Sequence, residues 1–241
     1  MTRGQKKFAY GLLYAVVIGL VVLALIPKSH TPAPACSGSS CGTIGPLPLQ
    51  TESVQLFKSE STHRIVTLAE VVNPNADYGA NSFSYEFDIS DRDGGPLTSV
   101  SGSNDIYPDE TKYIVGVYNA GNADLSLVSD TPVFKIYPPD FQPAAGFLKP
   151  NLALTSGPET DVSSNGIKVT GKVKNQGASS VSEVEIVSIL QDKYGDPVFA
   201  AQTVIQGLEA FEELPFEVDF PADPATVQKI DSTKTAVFLS E

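Results

Sequence analysis

Residues 52–138 and 151–241 are two versions of one pattern, and that repeat constrains the fold more than any single residue. At a shift of 102, Ile65, Val71 and Asn73 fall on Ile167, Val173 and Asn175; at a shift of 101, Phe83, Tyr85 and Ile89 fall on Val184, Ile186 and Leu190. Asp91-x-x-Gly94-x-Pro96 falls on Asp192-x-x-Gly195-x-Pro197, and carrying the shift of 101 onward sets Tyr113, Val115 and Val117 on Leu214, Phe216 and Val218. The change of shift lies where NPNADYGAN faces NQGASSVS, as expected of a loop. Each copy has about 90 residues, enough for a small core of its own. Between them, PPDFQPAAGFLKP carries four prolines, which predicts a linker over residues 139–150.

Inside each copy the hydrophobic period is two. In SFSYEFDIS, Phe83, Tyr85, Phe87 and Ile89 share one face and Ser82, Ser84, Glu86, Asp88 and Ser90 the other, the mark of a half-buried strand. HRIVTLAEVVN, TKYIVGVYN, VFKIY, GIKVTGKVKN, SEVEIVSIL, LPFEVDF and TAVFL are further predicted strands, separated by Gly, Pro, Asn and Asp clusters. The expected class is all-β, with sandwich spacing in each copy.

The stretch DISDRDGGP raises the question of a metal. An EF-type loop takes oxygen ligands at positions 1, 3 and 5, glycine at 6 and a bidentate Glu at 12. With Gly94 at position 6, Asp91 and Asp93 fit positions 3 and 5, but Ile89 and Val100 stand at 1 and 12. The second copy keeps Asp192, Gly195 and Pro197 and replaces Asp93 with Tyr194. What the copies share is turn chemistry, so the expectation is a turn, with calcium on Asp91 and Asp93 the lesser alternative.

These residues resemble the LEA14-type and FxLYD-type domains. Val71-Val72-Asn73-Pro74-Asn75 is similar to "V-x-NPN", and Phe87-x-Ile89-x-Asp91 to "F-x-L-Y-D" with Ser90 at the tyrosine. The second copy departs further, carrying Ser188 and Gln191 at the aromatic positions. The resemblance spans about residues 52–241. It implies two tandem immunoglobulin-like or fibronectin-like β-sandwiches and non-catalytic domains, and it brings no catalytic residue or cofactor with it.

Ahead of the repeat, residues 8–26 (FAYGLLYAVVIGLVVLALI) contain no charged side chain. As a helix they would be about 29 Å long, matching a hydrocarbon core of roughly 30 Å. The expectation is a tail at 1–7, a transmembrane helix at 8–27 and a Pro/Gly/Ser-rich stalk at 28–51. A cleavable signal peptide is the competing reading, because Ala33-Pro34-Ala35 resembles a cleavage site, but the apolar run is long for one and ends well before that site. Arg3, Lys6 and Lys7 precede the run and Lys28 follows it, which predicts a cytoplasmic N-terminus and repeats outside the cytoplasm of a single-pass membrane protein. Gly11, Ala15 and Gly19 would form one stripe of small side chains on that helix, a seam for a homodimer or plain lipid-facing surface. Cys36 and Cys41 in the stalk predict a small disulfide loop in an oxidising compartment, with free thiols as the alternative.

After the stalk the chain carries all 28 acidic residues and 12 of the 16 basic ones, a net charge of −16. So acidic a surface repels nucleic acid. His63 is the only histidine in the repeats, no Cys or Trp occurs there, and neither repeat contains a GxSxG, P-loop, GxGxxG or HExxH. The pairs Asp109-Glu110 and Glu212-Glu213 precede strands and read as charged turns more readily than as a general acid and base. Tyr107, Tyr118 and Tyr137 are the candidates for an aromatic platform. The functional expectation is a membrane-tethered, non-enzymatic interaction or scaffold module of the cell envelope, without metal or cofactor, whose partner is another envelope protein. A cation- or polysaccharide-binding surface module is the alternative.

Overall fold

The computed structural model describes residues 45–164 and 166–241. The expected tail and transmembrane helix, most of the stalk, Cys36 and Cys41, and Gly11, Ala15 and Gly19 lie outside the described residues. Among the described residues no helix is long and apolar enough to cross a membrane.

The architecture is antiparallel β. In the first half, β1 (Gln50–Ser59), β2 (Arg64–Val72) and β5 (Thr111–Asn119) form a sheet in the order β1-β2-β5. β3 (Tyr78–Ser90), β4 (Pro96–Ile106) and β6 (Val133–Ile136) form a second in the order β4-β3-β6, with the short β7 (Phe141–Pro143) also paired to β3. In the second half, β8 (Leu152–Ser163), β9 (Gly166–Asn175) and β12 (Glu213–Phe220) take the order β12-β9-β8. There β10 (Val181–Gln191), β11 (Pro197–Leu208) and β13 (Ala236–Ser240) take the order β11-β10-β13. The two halves thus share one topology. Even an isolated bridge recurs, Asp91 to Val128 and Asp192 to Ile230, where a helical turn (Leu125–Leu127, Pro224–Val227) precedes the last strand.

Each core sits between the two sheets of its half. Ala69, Val71, Phe83, Phe87, Ile106 and Ile114 fill the first; Ile167, Val169, Val184, Ile186, Leu190 and Val218 are among those filling the second. Burying one such large side chain contributes roughly 1.5–3 kcal/mol. The predicted strands omitted β1, β4, β7, β8 and β11. In β4, β8 and β11 small or polar residues take many of the half-buried positions, so their alternation shows in exposure more than in hydrophobicity, while β1 and β7 have no sustained alternation even in exposure.

Two boundaries differ from expectation. Gln50 and Thr51, read as the end of the stalk, begin β1, and the main chain of Leu47 is already held by Asn75. The expected linker lies along the first half: β7 pairs with β3, Ala144 N donates to Asp77 O, and the Phe147 ring packs over Gly79 and beside Tyr107.

The register corrects the repeat alignment in β5. Val71 pairs with Lys112 and Val173 with Leu214, so Lys112, Ile114 and Gly116 are the counterparts of Leu214, Phe216 and Val218. The shift of 102 seen in β2 holds in β5 as well. A slip of one residue exchanges the faces of a strand. Tyr113, Val115 and Val117 therefore point away from their own core, and what they meet there is the second half.

Candidate functional site

The docking of the two halves follows from residues on the outer sheet faces. On the first half, Val66, Leu68, Tyr113 and Val115 make the outer face of β1-β2-β5 apolar. On the second, Val187, Ile189, Ala200 and Phe238 do the same for β11-β10-β13. These faces meet: Val66, Leu68 and Val115 belong to one buried cluster with Val187, Ile189 and Ala200, and the rings of Tyr113 and Phe238 lie 4.0 Å apart. The counterparts on the two remaining outer faces are charged or polar. Lys168, Thr170, Pro215 and Glu217 stand where the first half has Val66, Leu68, Tyr113 and Val115. Glu86, Asp88, Ser99 and Lys135 stand where the second has Val187, Ile189, Ala200 and Phe238. Ion pairs lace both end faces, with Lys135 bridging Glu86 and Asp88 at 3.2 and 2.5 Å and Lys168 paired to Glu217. A repeat array needs polar terminal faces to stop further stacking, and this one has them at both ends.

At one rim of the junction the side chain of Lys112, 1% exposed, reaches out of the first core. Its Nζ donates to Asp105 Oδ1 at 2.6 Å, Asn104 Oδ1 at 2.8 Å and the Glu241 main-chain oxygen at 3.1 Å. Tyr107 Oη donates to Glu241 Oε2 at 2.8 Å, and burial with that carboxylate drives the phenol well above its usual range. Glu185 on β10 closes the group. Burial raises its carboxyl pKa, and the neighbouring Lys112 charge offsets only part of that. All of these but Lys112, together with Asn81, Ser103 and Glu183, line a cleft of about 580 Å³. At the opposite rim a more apolar crevice of about 320 Å³ lies between Val66 and Val117 on one side and Phe199 and Phe220 on the other. There Ser61 N donates to Asp223 Oδ1 across the junction at 2.8 Å.

The residues singled out from sequence take fixed structural places. Asp91 Oδ1 accepts from Asp93 N at 3.0 Å and Gly95 N at 2.7 Å, and Gly94 has φ +85°. Asp192 Oδ1 accepts likewise from Tyr194 N and Asp196 N, with Gly195 at φ +94°. Both loops are Asx-type turns. Among the described residues no group of three or more His, Cys, Asp or Glu is arranged to hold a metal ion.

His63 sits at φ +49° in the β1–β2 turn. Glu110 is buried, accepting from Tyr107 N and pairing with Lys149, and Glu212 accepts from Glu209 N in the same turn of the second half. Of the three candidate tyrosines, Tyr107 is buried, Tyr118 half-buried and Tyr137 exposed, and they do not form one surface.

Asn73 and Asn175, matched in the repeat, prove to be buried hubs. Asn73 Nδ2 donates to Tyr78 O and Tyr107 O, and its Oδ1 accepts from both nitrogens of Asn75; Asn175 Nδ2 donates to Ser179 O and Glu209 O. Sequence reasoning missed Lys112, Glu185 and Glu241. Keeping the shift of 102 through β5 would have set Lys112 on Leu214 and marked it as a lysine in a core register.

No family model matches the chain, and no curated protein matches it. The likeness to LEA14-type and FxLYD-type domains therefore rests on the residues quoted above.

Proposed function

We propose that this chain is a non-enzymatic interaction or scaffold module of the cell envelope, built as two immunoglobulin-like or fibronectin-like sandwiches held outside the cytoplasm by a single membrane anchor at residues 8–27. The observation that carries this reading is the pattern of the four outer faces: two apolar faces are used up in joining the halves and two polar faces end the array. Such a body presents a fixed surface of about twice the length of one sandwich to a partner. The carboxylates in the turns, Glu110 and Glu212, are occupied in supporting main chain, which favours a structural role for them over acid–base work. The partner is read as another envelope protein, and the strongly acidic surface disfavours nucleic acid. The experiment is crosslinking of the full chain in its native cell followed by mass spectrometry. A reproducible protein partner is expected, and recovery of only the chain itself at every crosslinker length argues against the reading.

A cation-binding surface module is the weaker second reading: Asp105, Glu183, Glu185 and Glu241 line one cleft, but among the described residues no three such groups are arranged to hold a metal ion. Calorimetric titration with calcium separates the two, since the interaction module gives no heat of binding and the cation module does.

A further inference from the structure

Among the described residues eight strands end the four sheets, besides the three-residue β7, and an open edge is a template for another strand unless something blunts it. Most are blunted. β1 has a register irregularity and carries Glu52 and Lys58; β8 has two irregularities and Pro158; β12 has Pro215 and alternating acids; β6 and β13 are only four and five residues long. β5 and β11 lie at the junction, each against the other half.

β4 is left. Its pairing with β3 is irregular only at its two ends, where Pro96 and Asp105 stand; between them it runs unbroken from Asn104 opposite Phe83 to Thr98 opposite Ile89, and residues 97–104 include no charge and no proline. Apart from that ladder, none of the described hydrogen bonds involves the main chain of residues 97–103. In a chain whose exported part carries −16, eight uncharged residues on a free edge are a departure from the surroundings.

Those surroundings supply the sign of what would pair there. Asp91 and Asp93, with Arg92 between them, stand at one end of β4, and Glu86 and Asp88 stand one strand in, bridged by Lys135. At the other end β4 itself contributes Ser103, Asn104 and Asp105 to the cleft, where Glu183, Glu185 and Glu241 outnumber the single buried Lys112. At about 580 Å³ the cleft has room for a long cationic side chain. We infer that β4 is a docking edge to which an extended segment of a partner protein adds as a further antiparallel or parallel strand, uncharged along its middle and carrying Lys or Arg where it reaches the Asp105–Glu183 cleft. Main-chain hydrogen bonds give such a contact its affinity, and the cleft gives it selectivity. The inference rests on the reading of the chain as an interaction module and names the chemistry of what it binds.

The test uses the full chain in detergent and a fluorescein-labelled peptide, Lys-Thr-Val-Thr-Val-Thr-Val-Thr-Lys, followed by fluorescence anisotropy. Saturable binding is expected, with amide protection gained in residues 97–104 by hydrogen exchange. Replacing both lysines of the peptide by glutamate weakens binding at least about tenfold, a loss of about 1.4 kcal/mol. N-methylation at alternate peptide positions, which removes half of its main-chain donors, weakens it by the same factor or more. On the protein, Ser101→Lys adds a charge to the edge and Glu183→Gln removes one from the cleft, and both lower affinity for the lysine peptide. No binding, binding indifferent to N-methylation, or protection confined to other strands overturns the inference. A native partner whose crosslinks avoid residues 97–105 likewise overturns it, while leaving the interaction-module reading intact.

Discussion

Phe216 lies across the α-carbon of its cross-strand partner Gly171, with two ring carbons 2.7 and 2.8 Å from where a Cβ would stand. The first half solves the same position differently, pairing Ala69 with Ile114. Bulk missing on one strand is supplied by the other, as close packing requires. Gly171→Ala is therefore expected to cost about 1–3 kcal/mol through overpacking. Phe216→Ile leaves a void and costs a comparable amount. The double variant, which installs the first half's own pair, costs less than the sum of the two, with a coupling of at least about 1 kcal/mol in urea unfolding. Strict additivity would mean that the ring and the glycine do not depend on each other.

Val115→Glu gives the first half the residue that the second carries at Glu217. Val115 is buried under the second half, so the carboxylate arrives without a partner. On the order of 3 kcal/mol is lost from the docking. Calorimetry is expected to show two separated transitions in place of one, and small-angle scattering a longer particle. Glu217→Val tests the converse, because it places an apolar side chain on an end face. Concentration-dependent association in sedimentation is the expected outcome.

Glu185 makes the junction respond to pH. Its folded pKa is raised by burial, so the folded chain holds the proton more tightly than the unfolded one. Stability is consequently lower where the carboxylate is ionised. It rises as pH falls through the raised folded pKa, and the gain is complete below the ordinary glutamate value. Other carboxylates, such as Asp130 beside Lys58, are shifted down and pull the opposite way, so the difference between wild type and Glu185→Gln isolates the effect. In thermal melts from pH 7.5 to 4.5 the variant is at least as stable as wild type at the upper end, and the advantage shrinks as pH falls. An advantage that grows on acidification would reverse the assignment.

The turn at Asp91 predicts an asymmetry between neighbours. Asp91→Ala removes the acceptor of two main-chain amides and costs about 1–2 kcal/mol, and Gly94→Val, at φ +85°, costs about 1 kcal/mol or more. Asp93→Asn, whose side chain is exposed, changes nothing beyond about 0.5 kcal/mol. Thermal melts in calcium and in chelator check all three, and a calcium-dependent rise abolished by Asp93→Asn would make the turn a metal site.

How far the fold was legible depended on what each strand hides. β3 and β10 show their buried faces as Phe83, Tyr85, Phe87 and Ile89, or Val184, Ile186 and Leu190, so alternation in sequence and alternation in space coincide. In β4 the residues opposite Phe87 and Glu86 are Val100 and Ser101, and small polar side chains at an edge carry little hydrophobic signal. β5 misled for another reason. Tyr113, Val115 and Val117 form an apolar set as regular as that of a core face, but it faces the second half, where Val115 is buried, Tyr113 half-buried and Val117 left exposed at the rim. Periodicity reports that a face is covered and is silent on what covers it. The aspartate turns could be settled from composition because their chemistry is local. Lys112, Glu185 and Glu241 could not, since 56 residues or more separate each of the three from the next in the chain.

Asn75 has a mechanical consequence. Its side chain holds Leu47 by both main-chain groups, accepting from N at 2.7 Å and donating to O at 2.8 Å, just before β1 begins to pair with β2. Tension reaching the sandwich along residues 45–49 meets that two-point clasp first, and the clasp is itself braced by Asn73. The strand behind it is spared until the clasp yields. A pull from this side is thus resisted in two stages, and Asn75→Ala would merge them into one rupture at lower force in single-molecule stretching.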